Sequence, residues 1–248
     1  MKRADELISD LGLASSRSKA RALIEEGKVF CNGKPVDKPA RKYPEDAKFS
    51  IDSDSMALRF VSRAGLKLEA YLDKFEIDLR GARILDAGAS TGGFTDCALC
   101  RGAKIVFCVD IGSGQLHEKI KSDPRARNLE RTDVRSLTPD FFDGDLFDFI
   151  CADLSFISLE KVFEILWRLL KTAGAIVCLV KPQFESSPSI MRKNKGVIRD
   201  ALLREEALKK IEGFVSNKIP EARFIGRMES PIKGGDGNVE YLIGYRKG

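Results

Sequence analysis

The sequence predicts an α/β protein built on a mostly parallel sheet, with a small α+β domain ahead of it. Three observations predict this. From Lys67 onward, short apolar runs alternate with helix-patterned stretches. A glycine-rich turn follows the first of those runs and opens a helix. Residues 1–58 differ from the rest, reading as two helices and a hairpin with a local concentration of positive charge. A chain of 248 residues has room for one medium domain and one small one, at roughly 100–200 residues per domain. The expected division is 1–58 and 59–248, with residues 59–61 as the linker.

In the first part, a helix is expected over residues 3–11, ending at Gly12. Ser15-Ser16-Arg17-Ser18-Lys19-Ala20-Arg21 leads into a second helix with Leu and Ile at helical spacing and Gly27 as its stop. A short strand over 28–31, an Asn32-Gly33 turn and a second short strand give the hairpin signal. Residues 17–42 hold eight Lys or Arg against three Asp or Glu. That local excess of five equals the net charge of the whole chain, +5, so the positive charge is focused here. A basic helix and hairpin suit a polyanionic partner, although a solvated helix face would carry the same charges.

In the second part, buried-strand runs are expected at 83–87, 104–110, 147–153 and 175–181, with helices over 94–99, 115–121 and 159–170 between them. A helix over 201–217 and two strands near 223–228 and 239–245, joined by a glycine-rich loop, predict a hairpin at one sheet edge.

Composition excludes several classes. Hydrophobic residues are 43% and charged residues 32%, as in a folded globular protein. The longest apolar runs fall far short of the ~18 residues that span a bilayer, and the N-terminus has no apolar stretch of signal-peptide type. A cytoplasmic location is expected. Six scattered cysteines, with Cys97-Ala98-Leu99-Cys100 as a lone C-x-x-C, are too few for a disulfide scaffold and lack the second pair a structural zinc needs. Histidine occurs once, at His117, which disfavours a site built from several histidines; no metal is expected.

The turn Asp86-Ala87-Gly88-Ala89-Ser90-Thr91-Gly92-Gly93-Phe94 admits three readings. A dinucleotide fingerprint fails, because Ser90 stands where its second glycine belongs. A nucleophile elbow fits Gly88-Ala89-Ser90-Thr91-Gly92 literally, but its histidine should come late in the chain, and none follows His117. The third reading is an S-adenosylmethionine site. Asp86 closes the first strand, Asp110 the second, and Asp133 follows a third, so three acids stand at successive strand ends. The cofactor-binding set is then Asp86, Gly88, Ser90, Thr91, Gly92, Gly93, Phe94, Asp110, Asp133 and Asp153.

The later strands also end in polar residues. Asp153 follows one apolar run, and Lys181, before Pro182, finishes the next. A lysine ending a buried strand needs a partner, and Asp153 is the natural one, with Glu240, early in the last strand, a second. Lys67 lies on the helix before the sheet. Each charge alone would pass as an ordinary ion pair; the four together point to catalysis.

Two resemblances follow from the residues. Arg3-Ala4-Asp5, Leu11-Gly12, Ser16 to Arg21, Leu23 to Val29 and Asn32 to Val36 resemble the small αL RNA-binding domain of a small-subunit ribosomal protein and of bacterial pseudouridine synthases. Val61-Ser62-Arg63-Ala64-Gly65-Leu66-Lys67-Leu68, Leu85 to Thr95, Asp110 to Leu116, Glu130-Arg131-Thr132, Ala152 to Leu159, Val180 to Glu185 and Gly237 to Tyr241 resemble the FtsJ-like RNA ribose methyltransferases. The two in this order are similar to the TlyA (haemolysin A) family. The resemblance implies a Rossmann-like class I methyltransferase with a seven-stranded sheet and a catalytic tetrad Lys67, Asp153, Lys181 and Glu240. It implies a cytidine 2′-O-methyltransferase of ribosomal RNA, free or in an assembled subunit, using S-adenosylmethionine. RNA contacts are expected from Arg3, Arg17, Lys19, Arg21, Lys28, Arg63 and Lys195. Asp133 stands where some relatives carry Asn, and loop 186–195 departs from the pattern. Two other classes stay open at this point: a non-catalytic RNA-binding or ribosome-assembly factor, and the membrane-lytic protein the haemolysin name suggests. A monomer or weak dimer is expected, and the short chain end favours large-subunit RNA.

Overall fold

The structure is a computed structural model; it describes every residue except Ser15, 53–58, 235 and 236. Ser15 of the basic-helix stretch, the end of the expected first domain at 58 and part of the glycine-rich loop lie outside the described residues. The chain divides into two compact units, Met1–Arg63 and Ala64–Gly248.

In the first unit, β1 (Lys2–Arg3) leads into α1 (Ala4–Asp10), followed by α2 (Arg17–Glu25), β2 (Val29–Cys31), β3 (Lys34–Pro35), β4 (Lys42–Tyr43) and β5 (Phe49–Ile51). β1 pairs with β4, while β2 lies between β3 and β5, all antiparallel. The α2 helix starts where it does because the Ser16 hydroxyl accepts the Lys19 N–H at 3.2 Å, and Gly27, at φ +73°, turns the chain away after it. Ala20, Leu23 and Ile24 face inward against Ala4, Ile8, Val29 and Val36. With that face buried, Arg17 and Arg21 are left exposed and Lys19 half-buried.

In the second unit, the elements are α3 (Ala64–Lys74), β6 (Arg83–Ala87), α4 (Gly93–Cys100), β7 (Ile105–Asp110), α5 (Glu118–Lys121), β8 (Ala126–Glu130), β9 (Phe147–Ala152), α6 (Phe163–Arg168), β10 (Leu170–Val180), α7 (Pro182–Glu185), α8 (Pro188–Lys193), α9 (Ala201–Lys218), β11 (Ala222–Glu229) and β12 (Tyr241–Lys247). One seven-stranded sheet runs in the order β11-β12-β10-β9-β6-β7-β8. Strands β10, β9, β6, β7 and β8 are parallel to their neighbours, and β12 is antiparallel to both β10 and β11. The expected edge hairpin is present, with the last strand inserted inside β11.

Central strands are buried on both faces, as their unbroken apolar runs require: Leu85, Ile150, Ile176 and Cys178 are fully buried. The order reverses between β6 and β9, so the carboxyl ends of β6, β7 and β9 open a crevice where ligands bind in folds of this kind. Three elements differ from expectation. The helix over 159–170 is a 3₁₀ turn (Leu159–Lys161) and the six-residue α6, because the chain enters β10 at Leu170. The helix over 115–121 is only α5, which the His117 ring caps by accepting the Lys119 N–H at 3.1 Å. Glu240 precedes β12 rather than lying in it.

Helix α3 reaches the sheet closely. A Cβ on Gly244 of β12 would lie 2.2 Å from the Tyr71 Oη, so only glycine there admits the tyrosine. The Tyr71 hydroxyl donates to the Gly226 carbonyl at 2.8 Å. That seat fixes α3, and with it Lys67, over the end of β12.

Candidate active site

The site is built on loops at the carboxyl edge of the sheet. After β6, the Gly88 and Ala89 N–H groups both donate to the Val109 carbonyl, at 2.8 and 3.0 Å. This folds the turn back over β7. Gly88 sits at φ +86°, and a Cβ there would lie 2.5 Å from the Asp153 carbonyl oxygen. Glycine is therefore required for the turn to pass under the β9 loop. Asp110 holds both sides of the crevice: its carboxylate accepts the Ser90 N–H at 2.8 Å and the Gly112 N–H at 2.7 Å. The Glu130 carboxylate accepts N–H groups of the 114–116 turn, which hold it down at about pKa 2. That turn carries Gln115, whose side chain meets the Ser90 hydroxyl at 3.2 Å.

Between these loops lies a cleft of about 580 Å³, lined among others by Gly88, Ser90, Asp110, Ile111, Asp133, Asp153 and Ser155. This size falls within the ~300–1,000 Å³ of ordinary small-molecule sites. Of the sequence-predicted cofactor residues, Gly88, Ser90, Asp110, Asp133 and Asp153 line it. Asp133 does so three residues beyond the end of β8, and its carboxylate is already paired with Arg135 at 2.5 Å, which lowers its pKa. Gly92, Gly93 and Phe94 are buried behind the turn, where Gly92, at φ +90°, starts α4; Thr91 is exposed outside the lining. Asp86 is fully buried inside β6. Its Oδ2 accepts the Thr95 hydroxyl at 2.6 Å, and its Oδ1 has no partner. Burial pushes the Asp86 carboxyl up to about 7. Asp86 therefore lies behind the turn, bonded to Thr95 of α4, and does not line the cleft.

The four predicted catalytic residues form one continuous chain. Lys181 Nζ lies 2.6 Å from Asp153 Oδ1, Lys67 Nζ lies 3.8 Å from Asp153 Oδ2, and Lys67 Nζ lies 2.6 Å from Glu240 Oε2. Lys67 and Lys181 are each 8% exposed and Glu240 3%. Two ammonium and two carboxylate groups alternate, so no buried charge lacks a counter-charge. Lys181 also donates to the Ser155 hydroxyl at 2.9 Å. Since Asp153 and Ser155 line the cleft, the lysine end of the chain borders it.

Several site residues were not assigned from the sequence. Ser155 and Phe156 stand two and three residues after Asp153, a placement that could have marked them. Phe156 is 91% exposed at φ +64°, and its ring lies 5.1 Å from that of Phe184 at the mouth of the site. An aromatic held in the left-handed region and offered to solvent is costly unless it meets a partner. Glu185 is buried and joins the segments that follow β9 and β10: it accepts the Ser158 hydroxyl at 2.5 Å and the Leu159 N–H at 2.9 Å, and burial raises its pKa. Gln115 and Glu130 lie inside stretches that match the family, but their contacts depend on turns closing across the sheet.

A model described as FtsJ-like methyltransferase matches residues 60–247, and one described as S4 domain matches residues 2–47. A Mycobacterium tuberculosis protein named 16S/23S rRNA (cytidine-2′-O)-methyltransferase TlyA is 41% identical, over 98% of this chain and 89% of its own. The chain belongs to the TlyA (haemolysin A) family of FtsJ-like methyltransferases. Hemolysin A of Brachyspira hyodysenteriae is 38% identical over 98% of this chain and 99% of its own. A solved structure named for a hemolysin, from Streptococcus thermophilus, superposes with a TM-score of 0.77 at 36% identity, covering 99% of this chain and 88% of that one. Among the described residues, no helix is long and apolar enough to cross a membrane, and no group of three or more His, Cys, Asp or Glu side chains could hold a metal ion.

The family's S4 unit carries most of the expected RNA-binding residues, and here they are engaged on its surface. Arg3 pairs with Asp5 at 2.9 Å, Arg17 with Glu6 at 3.1 Å, Arg21 with Glu25 at 2.9 Å and Lys28 with Asp52 at 2.7 Å. Arg63 lies 3.9 Å from Glu25, and Lys19 donates to the Phe60 carbonyl. The Arg21 and Lys28 pairs lie at the surface, where such pairs are worth about 0–1 kcal/mol each, whereas the Asp5 carboxylate beside Arg3 is buried. Lys195 stands apart, exposed after α8.

Proposed function

We propose that this chain transfers a methyl group from S-adenosylmethionine to the ribose 2′-hydroxyl of a cytidine in ribosomal RNA, in the cytoplasm. The observation that carries the reading is the buried Lys181–Asp153–Lys67–Glu240 chain opening on the cleft beside Asp110. Support comes also from the M. tuberculosis relative named for this reaction.

The residues present fit the cofactor. Gly88 lets the turn lie directly against the Asp153 backbone at the cleft wall, where a Cβ would push the two apart, and the Asp110 carboxylate, held by two N–H groups, offers its remaining acceptor capacity to ribose hydroxyls. Gly88, Ser90, Asp110, Asp133 and Asp153 would hold it. When bound, S-adenosylmethionine supplies an electrophilic methyl group and a neutral leaving thioether. The chain's own task is to position the 2′-hydroxyl and stabilise its developing negative charge. Lys181 does this. Its ammonium is anchored by Asp153 and Ser155 at 2.6 and 2.9 Å, so it needs no reorganisation during reaction. Lys67 neutralises the second Asp153 oxygen and Glu240 fixes Lys67, which holds the row in register. Phe156 and Phe184 offer a π-face on which a base can stack, and α2 of the first unit offers Arg17, Lys19 and Arg21 to phosphates.

The test is radiolabelled methyl transfer to ribosomal subunits and to free RNA, with the product located by a block to alkaline cleavage. Transfer to a ribose is expected. Methylation of a base, or none with any ribosomal RNA, overturns the reading. Lys181→Ala is expected to lose on the order of 100-fold or more in turnover while keeping cofactor affinity; near-normal turnover would remove Lys181 from the role.

A further inference from the structure

The turn that carries Glu240 is fastened to a basic arm by one side chain. Asn238 is 3% exposed. Its Oδ1 accepts the Ile198 N–H at 3.0 Å, and its Nδ2 donates to the Gly196 carbonyl at 2.9 Å. A side-chain amide carries two N–H donors and a carbonyl acceptor, and here one donor and the acceptor span two backbone groups, so Asn238 acts as a single rung between two loops. On its own side the turn is tight. The Asn238 carbonyl accepts the Gly234 N–H at 2.9 Å, and the Ser230 N–H donates to the Glu240 carbonyl at 2.8 Å. A Cβ on Gly234 would lie 2.6 Å from Glu240 Oε1, so the Glu240 carboxylate is packed against this turn. The far end of that carboxylate holds Lys67.

The other side of the rung is the arm of α8 and residues 194–198. It presents Arg192, Lys193 and Lys195, all exposed, and none has an ion pair among the described residues. This contrasts with the first unit, where Arg3, Arg17, Arg21 and Lys28 are paired. Three such cations on a short segment, the last of them next to Gly196 of the rung, form a grip for a nucleic-acid backbone.

We propose that Asn238 is a positioning residue that couples this arm to Glu240, so that phosphates of the RNA strand held by Arg192, Lys193 and Lys195 steady the Lys67–Glu240 end of the tetrad. The inference rests on the methyltransferase reading above. It assigns Asn238 no contact with the reacting atoms. Its effect runs from residue 238 to Glu240, and it shows as a linkage between RNA affinity and turnover.

Three full-length variants test it: Asn238→Leu, which keeps the bulk and removes both hydrogen bonds; Arg192→Gln/Lys193→Gln/Lys195→Gln; and the combination. S-adenosylmethionine affinity and the unfolding midpoint serve as folding controls. Asn238→Leu is expected to lower kcat about tenfold and raise KM for RNA several-fold, with cofactor affinity within twofold. The arm variant is expected to raise KM about tenfold, to lower kcat several-fold and to flatten the salt dependence of RNA binding. In the combination, Asn238→Leu should add little to the KM or the kcat penalty of the arm variant, because both changes break the same coupling. A folded Asn238→Leu with kcat and KM within twofold of the parent overturns the proposal, as does a KM penalty that persists in full in the combination. If Asn238→Leu does not fold, amide exchange at Ile198 in the unaltered protein decides. Slowing on addition of the RNA supports the coupling, and an unchanged rate overturns it. That readout needs no turnover, so failure of the coupling and failure of the methyltransferase reading remain distinguishable.

Discussion

Lys67→Met is the most informative single change in the tetrad. The substitution keeps the length of the side chain and removes its charge. Lys67 Nζ lies 2.6 Å from Glu240 Oε2, and the two side chains are 10% and 4% exposed. Removing the lysine strands a carboxylate that water barely reaches. Breaking a buried pair in this way costs about 3–5 kcal/mol. For a unit of roughly 150–250 residues, each kcal/mol lowers Tm by about 2–4 °C, so a fall of about 6–20 °C is expected. Glu240→Gln should cost less, because the lysine it leaves still has Asp153 at 3.8 Å. The double variant Lys67→Met/Glu240→Gln removes both charges and should regain most of the loss. Urea unfolding of the four proteins measures these differences, with cofactor binding followed by calorimetry to confirm an intact cleft. A Lys67→Met loss below about 1 kcal/mol, or a double variant no more stable than Lys67→Met alone, would refute the assignment of this pair as a buried, mutually dependent one.

Two further outcomes are expected. Asp86 is buried and its carboxyl is pushed up to about 7, so the folded chain holds a proton that the unfolded chain releases in the ordinary carboxylate range. Its contribution to stability therefore falls as pH rises from about 4 to about 7 and is flat above. Asp86→Asn should gain stability relative to the parent across that window, and a difference independent of pH by urea unfolding would contradict the burial argument. In the first unit, Arg21→Gln is expected to weaken RNA binding and to reduce the salt-dependence slope by about 1, as for the loss of one phosphate contact. Filter binding at several salt concentrations measures this, and an unchanged slope would place Arg21 outside the RNA contact.

Much of this protein is legible in its sequence, for identifiable physical reasons. Strands buried on both faces must be continuously apolar, so β6, β7, β9 and the end of β10 announce themselves. The glycine at position 88 is forced by a backbone that passes 2.5 Å from where a Cβ would sit. Lysines and acids at the ends of such strands stand out because charge is costly there, which singles out Asp153 and Lys181. Elsewhere local pattern was overridden. The run 159–170 is as apolar as a helix, but the chain must reach the start of β10 at Leu170, so only a 3₁₀ turn and α6 fit. Asp86 reads like its neighbours at strand ends, yet it lies one residue inside β6 and turns into the core toward Thr95.

The sequence by itself determined the two-part plan, the parallel sheet and the glycine turn, because each is written in local polarity, spacing or a contiguous motif, and it singled out Lys67, Asp153, Lys181 and Glu240 as candidates. Only the tertiary structure decided how those residues act together. Lys67 and Glu240 are 173 positions apart, and they meet because Tyr71 seats α3 against Gly244 while β12 inserts beside β10. Asn238, Glu185 and Glu130 acquire their roles in the same way: each is one polar side chain satisfying backbone groups of a distant loop. Such pairings depend on which loops the sheet order brings together, and no local window of sequence records that order.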